Sequence, residues 1–135
     1  MDTYNLEENI DVFCVTAKSF PDGVLEAHQT LHALVPFTSE RKYFGISYPD
    51  KPGHIIYKAA ANELVPGDLS KHGLEKFVIK KGKYICILIN DFMKDIPAIG
   101  KAFQELITQP GIDENGCCVE WYLSEKDVRC MVRLK

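Results

Sequence analysis

The apolar side chains of this sequence recur with two different spacings, and the spacings separate short strands from two helices. Alternating or continuous apolar runs that are rich in Val, Ile, Phe and Tyr are typical of strands. We assign strands to residues 10–18, 42–48, 55–61, 76–89, 117–123 and 128–134. Gly82 divides the longest of these segments into two strand-like pieces, and the alternative is one long strand with a bend or a bulge at Gly82.

Helical spacing of apolar residues occurs twice, each time beside a proline. Pro21 and Pro97 stand where a helix begins, because proline fits the first turn and that turn does not need its missing amide hydrogen. The apolar stripes comprise Val24, Ala27, Leu31, Leu34 and Val35 in the first helix, and Ile96, Ile99, Phe103, Leu106 and Ile107 in the second. Pro36 ends the first helix, and residues 109–111 end the second.

The order strand, helix, strand, strand occurs in residues 10–64 and again in residues 75–134. The two helices also contain similar short fragments, residues 27–31 and 102–106. We therefore predict an α+β fold formed by a duplicated βαββ unit. Two antiparallel sheets, each covered by a helix, would surround a pseudo-twofold axis, and the seam between the halves would form a ligand cleft.

The closing hairpin carries the most informative charged residue of the chain. If Leu123 pairs with Val128 across the turn, then Val119 and Trp121 lie on an apolar face that packs under a helix. The opposite face, which we expect to point away from the helices, carries Glu120, Tyr122, Arg129, Met131 and Arg133.

Glu120 has two interpretations. In the first, it is solvated and pairs with Arg129 or Arg133, an interaction worth at most about 1 kcal/mol. In the second, it lies in the floor of the cleft, where desolvation raises the pKa of a carboxylate and favours binding of a cation. Aromatic walls would add about 1–2 kcal/mol of cation–π attraction, and the same carboxylate could serve as a general acid or base. An arginine paired with Glu120 would instead favour a polar or anionic ligand.

Length, charge and apolar runs limit the remaining function classes. A chain of 135 residues has the size of one domain, so we assign residues 1–135 to a single domain. The net charge of −3 and the lack of a long Lys/Arg run predict no nucleic-acid binding by this chain alone. The N-terminus lacks the pattern of a signal peptide and no apolar run approaches about 18 residues, so we expect no membrane association.

Cysteine and histidine provide no metal motif. The five cysteines are odd in number and lack CxxC spacing, which favours free thiols in a reducing cytoplasm. Cys117 and Cys118 are adjacent, and adjacent residues of a strand point to opposite faces. His28 and His32 have the spacing of two helical metal ligands, but no third ligand accompanies them. We therefore predict no metal site and no cofactor, and assign both histidines to a partly exposed helix face.

Three segments resemble the GyrI-like small-molecule-binding family, also described as the bacterial transcription-activator effector-binding domain. They are YFGISY at residues 43–48 before a Pro-rich loop, FVIKKGKY at 77–84, and VEWY at 119–122, which is similar to the apolar-Glu-x-Tyr signature of the family. Together with the doubled βαββ order, the resemblance covers residues 10–134.

The resemblance implies a stand-alone effector-binding domain for hydrophobic, cationic aromatic compounds, with a role in sensing or sequestration. Relatives occur in multidrug-responsive transcription regulators, where they are joined to DNA-binding helix-turn-helix segments that this sequence lacks. Glu120 would be the charged receptor of the pocket. The pocket walls would be formed by Tyr122, Met131, Phe44, Tyr48 and Tyr57.

Two alternative functions belong to other classes. Some stand-alone relatives hydrolyse reactive cyclopropane-bearing compounds with the pocket glutamate, and here Glu120 and Tyr122 would then be the catalytic residues. Residues 106–109 lack the tryptophan that relatives often carry near the end of the second helix, which weakens the hydrolase hypothesis. The other alternative is a protein-interaction module whose open sheet face binds a regulator partner or a second copy of the chain.

Overall fold

The computed structural model describes residues 1–135, which form eight strands, two α-helices and two short 3-10 helices. In chain order the strands and helices are β1 (Asp2–Leu6), β2 (Ile10–Thr16), α1 (Val24–Leu34), β3 (Tyr43–Lys51), β4 (His54–Ala61), β5 (Glu75–Ile79), β6 (Gly82–Ile89), α2 (Pro97–Leu106), β7 (Cys118–Tyr122) and β8 (Val128–Arg133). The 3-10 helices are Ser70–His72 and Phe92–Lys94.

Two strands differ from the sequence-based assignment. β1 is additional, and its polar sequence DTYNL suits the sheet edge that it occupies. The segment 76–89 forms two strands, β5 and β6, that lie at distant positions in the sheet instead of continuing one another. Gly82 begins β6 with a φ of 140°, a backbone conformation that side-chain-bearing residues rarely adopt.

All eight strands join one antiparallel sheet in the order β1-β6-β8-β7-β3-β4-β2-β5. The order β2-β4-β3 of the first half matches β6-β8-β7 of the second, and β3 pairs with β7 at the centre. The α+β class is confirmed, whereas the prediction of two separate sheets is corrected to one continuous sheet. Pairing of β3 with β7 satisfies backbone groups that two separate sheets would leave exposed at their edges.

Both helices cover the same face of the sheet. Helix α1 packs on β2 and β4, and α2 packs on β6 and β8, so the central strands β3 and β7 lie between them. The buried residues of these two contacts are Ala27, Leu31, Val35, Tyr43, Ala59, Ala61 and Leu69 around α1, and Ala102, Leu106, Val128, Cys130 and Val132 around α2. Neither helix has the length and apolar character that crossing a membrane requires.

The largest apolar cluster lies on the other face of the sheet. It contains Leu6 of β1 and Ile79 of β5, which are opposite ends of the strand order, together with central residues such as Phe44 and Met131. The sheet therefore curls until its outer strands share one core. This curl largely buries the sheet face that points away from the helices.

The register of the closing hairpin differs by one residue from the predicted register. Tyr122 pairs with Val128 and Glu120 with Cys130, because a turn closed by Leu123 N–H donating to Asp127 O leaves Leu123 outside the ladder. A shift of one residue moves every side chain to the opposite face. Glu120 and Tyr122 consequently lie on the helix-covered face, and the prediction that they point away from the helices is wrong.

Candidate functional site

A cavity of about 1360 Å³ lies between the two helices, above the central strands. Its lining comes from α1, α2, β3, β4, β7 and the loops beside them, and most of its surface is apolar. Small-molecule pockets usually measure roughly 300–1,000 Å³, so this cavity can hold a large ligand. Alternation along β7 directs Glu120 and Tyr122 into it.

Glu120 is the buried carboxylate of this cavity, with only 8% of its surface exposed. The Tyr57 hydroxyl donates to Oε1 of Glu120 over 3.1 Å, and the Tyr122 hydroxyl donates a short hydrogen bond to the same oxygen. His28 Nε2 lies 2.8 Å from the Tyr57 hydroxyl oxygen. Because the hydroxyl hydrogen of Tyr57 is directed to Glu120, His28 must donate its Nε2 hydrogen to the Tyr57 oxygen.

The second carboxylate oxygen of Glu120 has no such partners. Oε2 accepts no hydrogen bond from the protein, and surrounding atoms do not cover it completely, so it keeps some accessible surface. The carboxylate therefore has one oxygen held by two phenols and one oxygen available to a bound molecule.

No arginine neutralises Glu120, which answers the question that the sequence left open. Arg129 lies on the other sheet face, where its guanidinium stacks 4.3 Å from the Tyr4 ring centroid. Arg133 is on that face too and pairs with Asp113 at 3.2 Å.

The other charges around the cavity also leave Glu120 without a counter-ion. Arg41 lines the wall but is held by Asp68 at 3.0 Å. Asp22, Glu125 and Lys126 are exposed at the mouth.

Burial controls the protonation of the polar groups in the cavity. It raises the pKa of Glu120, although hydrogen bonds from Tyr122 and Tyr57 oppose the rise. Burial and the nearby Glu120 charge raise the pKa of both tyrosines, so both remain protonated donors. Burial, reinforced by His32, lowers the pKa of His28 to about 4, which keeps this imidazole neutral at neutral pH. The wall residue Cys118 is a free thiol whose pKa burial raises to about 11.

Gly45 supplies the space in which the hydrogen bonds to Glu120 form. It lies on β3 directly opposite Glu120, and a Cβ at this position would stand 2.1 Å from the Tyr57 hydroxyl and 2.8 Å from Oε1 of Glu120. Any side chain here would displace one of these two groups. Gly45 is therefore a steric requirement of the site.

The structure brings together only some of the residues expected from sequence. Glu120, Tyr122 and Tyr57 line the cavity. Phe44, Tyr48 and Met131 lie on the opposite sheet face and do not line it, so their placement in the walls is corrected. Phe44 and Tyr48 alternate with the cavity-facing Tyr43 and Ser47 along β3, and the one-residue shift in the hairpin moves Glu120 to the face opposite Met131.

Sequence reasoning missed the roles of His28 and Gly45. It placed His28 on a partly exposed helix face, whereas this side chain faces the cavity and contacts Tyr57. The signal was the position of His28 next to buried Ala27 and one turn before Leu31, which puts it at the edge of the packed stripe. No group of three or more potential metal ligands occurs in the structure.

A smaller hollow of about 710 Å³ lies beside β1 and the start of β2. Its lining is mainly polar and includes the exposed Glu7, Glu8 and Asp11. None of its charged side chains is buried. The candidate site is therefore the cavity that contains Glu120.

No protein-family model matches the sequence, and no curated protein matches it. Among solved structures, the chain is similar to an integron cassette protein from the mobile metagenome of Vibrio cholerae, with a TM-score of 0.71 and 15% identity over 99% of this chain and 95% of that chain. It is also similar to a hydrolase from Listeria innocua, with a TM-score of 0.55 and 11% identity over 99% of this chain and 90% of that chain. These similarities support the small α+β fold alone.

We predict that Gly45→Ala lowers the free energy of unfolding by about 1–3 kcal/mol, because the methyl group breaks a buried hydrogen bond and overpacks the site. Urea denaturation measures the change. Gly100→Ala is the matched control, since nothing lies within 4 Å of a Cβ there and alanine favours a helix by up to about 1 kcal/mol. Equal urea midpoints for Gly45→Ala and the wild type would contradict the prediction.

The raised pKa of Glu120 predicts a specific pH dependence of stability. The folded protein keeps the Glu120 proton to a higher pH than the unfolded chain, whose carboxyl has a pKa of about 4.3. Wild-type stability therefore falls as the pH rises from that value through the folded pKa. Glu120→Gln does not titrate, so its stability relative to the wild type should increase across this window, measured by urea denaturation at several pH values. A stability advantage of Glu120→Gln over the wild type that grows as the pH falls would refute the raised pKa of Glu120.

Proposed function

We propose that this protein binds lipophilic monocations in the cavity between α1 and α2, with Glu120 as their counter-ion. The observation that carries the proposal is a buried carboxylate that has an open oxygen, two phenol donors and no cationic partner. An ionised carboxylate in such a place is unfavourable because it has lost hydration. A ligand cation beside Oε2 would offset that loss.

The walls add selectivity for apolar cations. Tyr57 and Tyr122 present aromatic rings beside the carboxylate, and cation–π attraction contributes about 2 kcal/mol when the contact is desolvated. The surrounding surface is mainly apolar, so a ligand gains from burying hydrophobic area as well as charge. A strongly hydrated inorganic cation would gain little from these walls.

We also propose that the chain is an effector-binding domain of the GyrI-like type. Support comes from the sequence resemblance and from the presence of Glu120 and Tyr122 side by side in the cavity. In this role the protein would act in the cytoplasm, either sequestering toxic lipophilic cations or sensing them through a regulator partner or a second copy of the chain. Binding to nucleic acid by this chain alone is not part of the proposal.

The charge requirement can be tested with two molecules of the same shape. Benzyltrimethylammonium carries a quaternary nitrogen cation at the position where neopentylbenzene has a neutral quaternary carbon. The wild type should bind the cation at least about tenfold more tightly, which corresponds to about 1.4 kcal/mol, and Glu120→Gln should remove most of this preference. Calorimetric titration measures both affinities. Equal affinities for the two molecules in the wild type would refute the proposal.

A second candidate function is hydrolysis of reactive cyclopropane-bearing compounds. The observation that favours it is the chain of hydrogen bonds from His28 through Tyr57 to Oε1 of Glu120, where Tyr122 also donates, so that Oε2 stays free. In this reaction water oxygen would bond to one ring carbon while the ring C–C bond breaks. Glu120 would take the proton from water, and Tyr122 would give its proton to the released carbon and regain one from Glu120.

Turnover distinguishes catalysis from binding alone. If the protein is a hydrolase, incubation with an activated cyclopropane should give a ring-opened product heavier by one water, seen by mass spectrometry. Glu120→Gln should reduce the rate at least about 100-fold, the scale of general acid–base catalysis. Absence of product, combined with a thermal shift caused by lipophilic cations, would reject the hydrolase and leave the binding function.

A further inference from the structure

The two sides of the cavity differ in the chemistry of their side chains. The α1 side, here called the aromatic wall, carries the rings of Phe20, His28, His32, Phe37, Tyr43 and Tyr57, with the aliphatic side chains of Val24, Leu25 and Ile55 beside them. Each ring of this wall contacts the next: successive ring centroids are separated by 5.9, 5.7, 6.4, 4.9 and 5.2 Å along the series Phe20, Tyr57, His28, His32, Tyr43 and Phe37. The rings thus form a continuous surface with stacked pairs at both ends.

The α2 side, here called the aliphatic wall, consists of Met93, Ile96, Ile99, Ile107 and Leu123. Phe92 and Phe103 also lie on this side, where Phe92 contacts the Tyr122 ring at 5.4 Å between centroids. Flexible or branched aliphatic side chains thus dominate the half of the cavity that faces α2.

Glu120 lies between the two walls. Its Oε1 accepts from Tyr57 of the aromatic wall and from Tyr122, whose ring lies between the walls and contacts both His28 and Phe92. A cation at Oε2 would therefore have apolar surface in two directions. Both walls continue to the mouth, where Phe20 is 45% exposed and Ile96 is 49% exposed.

These observations define the shape of the occupant more closely than a cation alone. A compact cation would leave much of a 1360 Å³ cavity empty and would contact only the residues around Glu120. Planar groups gain most on rings, because offset-stacked and edge-to-face contacts add about 0.5–1.5 kcal/mol to area burial. Flexible chains suit the aliphatic wall, where Met93 can adapt to irregular apolar shapes and the Ile side chains offer apolar surface.

We propose that the site selects tripartite cations: an aromatic ring on the aromatic wall, a cationic nitrogen at Glu120, and an alkyl chain along the aliphatic wall. Aralkyl-alkylammonium compounds are the simplest class with this order of groups. The inference rests on the proposed cation-binding function and adds the division of the ligand between the two walls.

The experiment uses three related probes. Benzyldimethyloctylammonium has all three parts, octyltrimethylammonium lacks the ring, and benzyltrimethylammonium lacks the chain. Calorimetric titration gives the affinity of each probe, below its micelle concentration, for the wild type, Phe20→Ala and Ile96→Ala. Both substituted positions are at the half-exposed mouth, so both variants should fold.

In the wild type, loss of either part should weaken binding by at least about fivefold. In Phe20→Ala, removing the ring from the probe should weaken binding less than it does in the wild type, whereas removing the chain should weaken binding as much as before. In Ile96→Ala, removing the chain should matter less and removing the ring should matter as much as before. This crossed pattern is expected only if ring and chain occupy different walls.

Two results separate failure of the inference from failure of the proposed function. If the wild type binds the probes and Glu120→Gln does not, but Phe20→Ala and Ile96→Ala change both penalties equally, cation binding stands and the division into two walls is wrong. If the wild type binds none of the three probes, both proposals are overturned.

Discussion

The hydrogen bonds from Tyr57 and Tyr122 to one oxygen of Glu120 determine the chemistry of the whole cavity. A carboxylate without a counter-ion is costly to bury, and two phenol donors reduce that cost without supplying a positive charge. An arginine in their place would have stabilised the carboxylate more strongly and would also have closed the site to cations. The phenols leave one oxygen unused, and this oxygen gives the cavity its electrostatic selectivity.

This arrangement depends on the central pairing of β3 with β7. The pair sets Gly45 opposite Glu120, and the missing side chain creates room for the Tyr57 hydroxyl that arrives from β4. Since the helices pack on the outer strands, the central strands keep their polar groups beneath an open space. The same pairing that joins the halves into one sheet therefore also assembles the site, with each half supplying one tyrosine donor.

Much of the secondary structure could be predicted from periodicity, because strand alternation and helical spacing are local properties. The site was only partly predictable. Glu120 stands out because it is a single charge in an apolar, aromatic strand, and Tyr122 follows from the same strand. Met131 was misplaced because hairpin register depends on the turn, and a turn longer by one residue reverses the faces of a strand. Phe44 and Tyr48 were misplaced because periodicity does not say which face of β3 meets the cavity.

The sequence by itself determined the α+β composition, the order of both helices and most strands, and the presence of an isolated carboxylate beside tyrosine. Tertiary structure alone decided that the two halves share one sheet and that the arginines of β8 lie on the face opposite Glu120. It also decided that His28, Tyr57 and Gly45 meet around the carboxylate. The physical reason is that local patterns fix which residues share a face, whereas strand pairing across the chain decides which faces and which distant residues come together.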